Sequence, residues 1–447
     1  MRRQNLIRYV STSCAAGALL AGCGALRQAQ GDMQPPIGAP GAMPQTSAVS
    51  SARSAAHRFS SGSYQQLYRF HPPKDGTHPY AGLLDVNGTL YGTTLRGGLS
   101  TKGTIYSIST SGAYKVLHRF RGGSDGASPL AGLIDVDGTL YGTTEYGGDS
   151  RCSKGRGCGT VYSIGTSGRE RVLYAFKGGS DGAFPVADFL AENGVLYGTT
   201  GQGGGSGCTT EYTDGCGTVF SLTTSGHETV LHHFTGGSDG AYPTGDLIDV
   251  SGVIYGTTAL GGSGYGSGTV YSITPSGAEK VLYAFHRSPD GSNPVGLIDV
   301  NGTLYGTTVY GGVNGCTGIG CGTVYSISTS GSEQVLYSFK GGSDGEQPQG
   351  AMIEASGLLY GTTMYGGGGS PCFGETAGCG TVFSVTSAGV ETALYGFQGG
   401  TDGGFPTGGL VYLNGALYGT TSFGGDHDVC CSRAFGYGWG TVFSVSP

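Results

Sequence analysis

Charge is scarce in this sequence. Asp, Glu, Lys and Arg make up 12% of the 447 residues, against about 25% in an average domain, and the 23 Lys and Arg residues are scattered among strand ends and turns. Nucleic acid, which calls for clustered cations, is therefore excluded as a partner. Beyond the N-terminus no run of about 18 apolar residues occurs, so no transmembrane helix is expected. Tryptophan occurs once, at Trp439. No catalytic constellation emerges either. Gly-x-Ser-x-Gly matches at Ser124, Ser180, Ser238 and Ser343, but a nucleophile elbow joins a strand to a helix, whereas each of these serines falls between two strands. The nine histidines are read as sharing no place in the chain's pattern and no metal motif, so neither a metal nor a cofactor is expected.

Glycine, by contrast, is abundant, with 92 residues at fixed intervals. Tyr-Gly-Thr-Thr or a close variant recurs at Tyr91, Tyr141, Tyr197, Tyr255, Tyr305, Tyr360 and Tyr418, at spacings of 50 to 58 residues. Upstream of it lies a hairpin, cleanest at Gly296 to Thr308, where two apolar runs flank Asn301-Gly302. Asn-Gly suits a type I′ turn, whose two central residues need positive φ. A period of about 50 residues built from short strands is that of propeller blades. The hairpin supplies strands A and B, Gly-Thr-Val-Tyr/Phe-Ser supplies strand C, and a run such as Lys280 to Phe285 supplies strand D. The chain opens on a D strand, Gln65 to Phe70, and stops on a C strand, Gly440 to Ser446. The accounting closes at seven blades of four strands, with the N-terminal strand completing the last blade. The predicted fold is an all-β, seven-bladed β-propeller over residues 63–447.

Met1 to Cys23 begins with Arg2, Arg3 and Arg8, continues through a small and apolar run, and ends on Leu20-Ala21-Gly22-Cys23. This resembles a bacterial lipoprotein signal peptide over residues 1–22. The resemblance implies export and lipid attachment at Cys23, with residues 23–62, rich in Ala, Gln, Pro, Met and Ser, as a flexible tether. Gly24 rather than aspartate after the cysteine favours the outer membrane. An ordinary secretory signal with a chance cysteine is the alternative, and it also exports the chain. Cleavage removes three arginines and no acid, leaving a mature chain more acidic than the −7 of the whole.

The elements Leu-Tyr-Gly-Thr-Thr, Gly-Gly, Gly-Thr-Val-Tyr/Phe-Ser and Ser-Asp-Gly, recurring over residues 65–447, resemble the GloVer-type tandem repeat of exported bacterial proteins. That resemblance implies a propeller-like architecture and a surface address, and it carries no activity or site residues.

Eight cysteines pair locally, Cys152 with Cys158, Cys208 with Cys216, Cys316 with Cys321 and Cys372 with Cys379, each pair in a longer B to C loop. They read as disulfides of an oxidising compartment, each contributing about 2 to 3 kcal/mol by closing a small loop. Zinc is the rival reading, but two thiolates without histidine are too few ligands. Cys430 and Cys431 are open to a vicinal disulfide or to two thiols. The D to A loops carry Asp75, Asp125, Asp181, Asp239, Asp290, Asp344 and Asp402, each before a glycine. They are expected to build turns by accepting backbone N–H groups; the sharper alternative is a ring of carboxylates at the channel mouth. Asp85, Asp135, Asp249, Asp299 and Glu354 are expected to cap the A to B hairpins.

Repeat seven departs most from the pattern, with Asp426, His427, Asp428 and Trp439 near the paired cysteines, and is the expected place for a non-repetitive binding site. The functional expectation is a monomeric, lipid-anchored binding module that takes an extracellular glycan or protein on the loop-bearing face. A propeller hydrolase or lyase is the enzymatic alternative, to be recognised by acids that break the symmetry in one or two repeats. A purely structural surface or adhesion module is the third.

Overall fold

The computed structural model describes residues 63–208, 214–262, 266–313, 315–368, 372, 378–425 and 438–447. Seven antiparallel sheets are laid down in chain order, each with strands A to D from its inner edge outward. Blade 1 consists of Leu84–Val86, Thr89–Thr94, Thr104–Ser109 and Tyr114–Arg119. Blade 7 takes its A, B and C strands from Val411–Leu413, Ala416–Thr421 and Thr441–Val445, and its D strand from Tyr64–Arg69 at the other end of the domain. In that pairing Tyr64 lies opposite Val445 and Arg69 opposite Thr441, with a bulge between Gln66 and Tyr68. The other C–D pairs bulge at the equivalent point, for example between Val161 and Tyr162. The N-terminal strand thus reproduces the geometry of an ordinary D strand, and the ring is closed by hydrogen bonds that cover the outer edge of Thr441–Val445.

Each residue of the Tyr-Gly-Thr-Thr motif has its own task. The glycine lies beneath the aromatic residue of strand C: a Cβ on Gly92 would stand 2.5 Å from the Tyr106 hydroxyl. The first threonine ties a blade to the next in four of the seven repeats, as Thr93 Oγ1 donates to the Ala131 carbonyl at 2.9 Å and Thr420 Oγ1 to that of Ala81 at 3.0 Å. The second joins strands B and C through paired hydroxyls, Thr94 with Thr104 at 2.9 Å and Thr421 with Thr441 at 2.8 Å. The A to B turn has the expected positive φ at Asn301 (53°) and Gly302 (83°).

Between blades the core is aromatic. The phenylalanine after strand D meets the strand C ring of the following blade edge-on or tilted, Phe70 on Tyr106 with centroids 5.3 Å apart and Phe176 on Phe220 at 5.1 Å. Phe397 on Phe443 at 5.0 Å brings the same contact to blade 7. These rings are fully buried, and edge-to-face pairs add about 0.5 to 1.5 kcal/mol beyond the area they bury.

Two features were not expected. Each Gly-Ser-Asp or Gly-Thr-Asp loop that carries a helical turn, such as Gly123–Asp125, forms a single short 3-10 turn. The segment after the D to A loop then pairs with the extended end of strand B, as Gly76–Thr77 does with Arg96–Gly97 and Ala183–Pro185 with strand B of blade 3. This short addition caps the loop-bearing face. Among the described residues no helix is long and apolar enough to cross a membrane.

Candidate functional site

The innermost strands crowd the propeller axis, and one position at the start of strand A shows how tightly. It is occupied in turn by Gly82, Gly132, Asp188, Asp246, Gly296, Ala351 and Gly409. A Cβ on Gly82 would lie 3.0 Å from the Gly409 carbonyl oxygen, and one on Gly296 would lie 2.8 Å from the Ala351 Cβ. Small residues are required on that side. Blades 3 and 4 instead place two carboxylates there. Asp188 Oδ1 accepts the backbone N–H of Gly132 at 2.5 Å, and Asp246 Oδ1 accepts that of Asp188 at 2.9 Å. Each side chain keeps part of its surface open, yet protein encloses both. Burial raises both above the usual carboxylate range, and for Asp188 the neighbouring Asp246 adds to the rise. The pair therefore holds a proton near neutral pH.

A second departure from symmetry lies at the loop-bearing end of strand B. The residue after Thr-Thr is Leu95, Glu145, Gly201, Ala259, Val309, Met364 and Ser422 in successive blades, and the next is Arg96, Tyr146, Gln202, Leu260, Tyr310, Tyr365 and Phe423. Only blades 1 and 2 carry charge at these two positions. Glu145 is enclosed, and burial pushes its carboxyl up to about 7 against the pull of Tyr146, Arg156 and Arg96. The Arg156 guanidinium stands 5.9 Å from the centre of the Tyr146 ring. Arg96 is within electrostatic reach of Tyr80, Arg156, Glu145 and Tyr146, and Tyr80 within reach of Tyr365. Two guanidinium groups, one acid and three phenols thus gather from blades 1, 2 and 6.

The seven D to A aspartates take the turn-building role. Arg121 N–H donates to Asp125 at 2.6 Å, Lys340 N–H to Asp344 at 2.7 Å, and Gln398 N–H to Asp402 at 2.9 Å. The alternative of a carboxylate ring at the channel mouth is corrected, because these aspartates face outer strands. Tyr337 and Tyr395 of strand D donate to Asp344 and Asp402 at 2.5 and 2.9 Å, and the first residue of the next D strand, such as Glu391 beside Asp344, completes the group. A tyrosine or histidine seven residues before each aspartate was the available sequence signal. The reading that histidines share no place is corrected by the same pattern, since His118 and His232 both occupy the fifth position of strand D. Asp85, Asp249, Asp299 and Glu354 cap their hairpins as expected, Asp299 accepting the Gly302 N–H at 2.9 Å, whereas Asp135 Oδ1 is buried without a hydrogen-bond partner.

The disulfides Cys152–Cys158, Cys208–Cys216, Cys316–Cys321 and Cys372–Cys379 are formed. Trp439 belongs to the ring closure: its carbonyl accepts the His78 N–H at 2.9 Å, and its indole meets the His78 imidazole edge-on at 6.1 Å. Asp426, His427, Asp428, Cys430 and Cys431, like Cys23, lie outside the described residues.

Compared with known proteins, residues 55–212 and 264–447 match the model of the Gloeobacter/Verrucomicrobia repeat. No curated protein matches the sequence. Among solved structures, the WD40 propeller domain of Doa1 is 11% identical, with 86% of this chain and 97% of that one covered at a TM-score of 0.50. The designed protein Ika8 is 14% identical, with 86% and 100% covered at 0.45. A gluconolactonase from Xanthomonas campestris is 14% identical, with 68% and 87% covered at 0.41. At these identities the likeness concerns the fold alone.

Proposed function

The chain belongs to the Gloeobacter/Verrucomicrobia repeat family, and from that premise we propose that it is an exported binding module that takes an acidic glycan at the loop-bearing end of its axis. The observation that carries this reading is the charged and phenolic cluster of Arg96, Glu145, Arg156, Tyr80, Tyr146 and Tyr365, in a ring where the positions equivalent to Arg96 and Glu145 are uncharged in the other five blades. Guanidinium forks pair with sugar carboxylates in a planar, two-point fashion, and phenol rings offer flat faces to sugar C–H groups. Four disulfides and the absence of a membrane-crossing helix among the described residues fit an exported protein. Within this reading Cys23 is the lipid anchor, the outer membrane the location, and the monomer the working unit.

The test is a glycan array probed with the full-length protein, wild type beside Arg96→Ala/Arg156→Ala. Saturable binding of uronate-bearing glycans that the double variant loses supports the proposal. Binding retained by that variant moves the site elsewhere, with the segment around Asp426, His427 and Asp428 next in line. An array without binding favours the structural-module reading.

A second reading rests on the axial pair. An aspartic acid that keeps its proton at neutral pH beside a second carboxyl is a candidate general acid, and acids confined to two repeats were the sign set for a propeller hydrolase or lyase. Turnover of a bound glycan that Asp188→Asn abolishes without weakening binding would establish it.

A further inference from the structure

At the outer rim, strand D of one blade, the following D to A loop and strand D of the next blade meet in a three-residue group. Tyrosine, aspartate and glutamate form it as Tyr174, Asp181 and Glu228, as Tyr283, Asp290 and Glu333, and as Tyr337, Asp344 and Glu391. In each the phenol donates to the aspartate, Tyr283 at 3.0 Å and Tyr337 at 2.5 Å. The hydroxyl makes two adjacent, half-buried carboxyls tolerable, because it satisfies the aspartate without adding charge.

Between blades 1 and 2 the phenol is replaced by an imidazole. The group is His118, Asp125 and Glu170, and its ligating atoms all lie within 4.8 Å of one another. His118 Nε2 is 3.3 Å from Asp125 Oδ1. Tetrahedral zinc with bonds of about 2.0 to 2.1 Å sets its ligand atoms about 3.3 to 3.4 Å apart, so the separation matches the edge of a coordination polyhedron. Asp125 Oδ2 is held by the Arg121 N–H at 2.6 Å, which leaves Oδ1 turned toward the imidazole. His118 Nε2 and Glu170 Oε1 are both out of contact with solvent and have no hydrogen-bond partner. The glutamate Oε1 is equally unsatisfied at Glu228 and Glu333, so what sets this group apart from the phenol-bearing ones is an unpaired imidazole nitrogen lying close to both carboxylates.

We propose that His118, Asp125 and Glu170 form a divalent transition-metal site with three protein ligands and an outward position for water. One imidazole and two carboxylates are a nitrogen and oxygen set suited to zinc, and their charge of minus two matches the ion. The site joins strand D of blade 1 to strand D of blade 2, so the metal would brace that blade interface.

The molecule contains its own control. His232, Asp239 and Glu279 occupy the same places between blades 3 and 4, but the Thr235 hydroxyl donates to Asp239 Oδ1 at 2.5 Å and its backbone N–H to Oδ2 at 2.8 Å. Both oxygens of that carboxylate are engaged, and that group is not part of the proposal.

The experiment is titration of the full-length, metal-stripped protein with Zn2+ near pH 7.5, read by calorimetry, and with Co2+, read by visible absorption. His118→Tyr installs the residue that blade 2 carries at this position, Tyr174, and is expected to fold; circular dichroism checks this. His232→Tyr is the parallel variant. One equivalent of Zn2+ at micromolar affinity or better, lost in His118→Tyr and Glu170→Gln and kept in His232→Tyr, supports the site. A tetrahedral Co2+ spectrum that disappears with His118 supports it further. Absence of binding at 100-fold excess Zn2+, or binding that a folded His118→Tyr retains in full, overturns it.

Discussion

The backbone N–H of Asp188 donates to Oδ1 of Asp246 at 2.9 Å, so the main chain of one acid solvates the side chain of the other. That arrangement fixes two carboxyls at the axis of a ring built otherwise from glycine and alanine at this level. It also ties the stability of blades 3 and 4 to pH.

Asp188 is raised to about 8, by burial first and then by Asp246. Between the ordinary carboxylate range and that value the native state holds a proton that the unfolded chain has lost, so stability falls as pH rises across the window. Asp188→Asn removes this contribution. Thermal denaturation at pH 5 and pH 8.5 is expected to show a smaller loss of Tm in the variant than in wild type; equal losses would contradict the assignment.

Deletion of residues 1–70 removes the D strand of blade 7 and exposes the edge of Thr441–Val445. The shortened chain is expected to associate edge to edge. Size-exclusion chromatography with light scattering reads this as oligomers or aggregate where the full domain elutes as one species.

Tyr64 stacks on Tyr395 with centroids 4.5 Å apart and meets Phe397 and Phe443 at 6.2 Å. Tyr64→Ala should destabilise by about 3 kcal/mol, at the lower end for an aromatic deletion because the residue is only partly buried. Urea denaturation gives the number, and a change below about 1 kcal/mol would show that the closing strand contributes little.

Tyr337→Phe removes the hydroxyl that donates to Asp344. Losing a hydrogen bond to a charged acceptor should cost about 1.5 to 3 kcal/mol. Tyr337→His, which copies the substitution present at His118, distinguishes loss of the donor from loss of ring packing, because imidazole restores an N–H.

Under non-reducing conditions Cys152, Cys158, Cys208, Cys216, Cys316, Cys321, Cys372 and Cys379 are expected to resist alkylation in denaturant and to react after reduction. Peptide mass spectrometry assigns the four pairs. Cys152→Ser/Cys158→Ser should cost about 2 to 3 kcal/mol by the loop-closure argument, measured in the same denaturation assay.

Much of the architecture was legible because its causes are local and repeated. Asn301-Gly302 announces a turn by its own φ requirement, and the cysteine pairs lie five to eight residues apart. Closure followed from counting strands, since a lone D strand at one end and an A, B, C set at the other have one economical solution. The roles of Asp85, Asp249 and Asp299 were equally local.

The site residues are of another kind. Arg96 and Glu145 stand 49 positions apart, Asp188 and Asp246 58, and His118 and Glu170 52. Reading one repeat against another shows that these residues break a pattern, as the acids do in a glycine column, but not that they meet. Sequence alone determined the blade count, the strand order within a blade and the local disulfides, because backbone conformation and short-range pairing carry that information. Tertiary structure decided which irregular residues become neighbours. Contact between blades depends on radial position, sheet twist and the phase at which each loop returns, and these arise only when seven sheets pack around one axis.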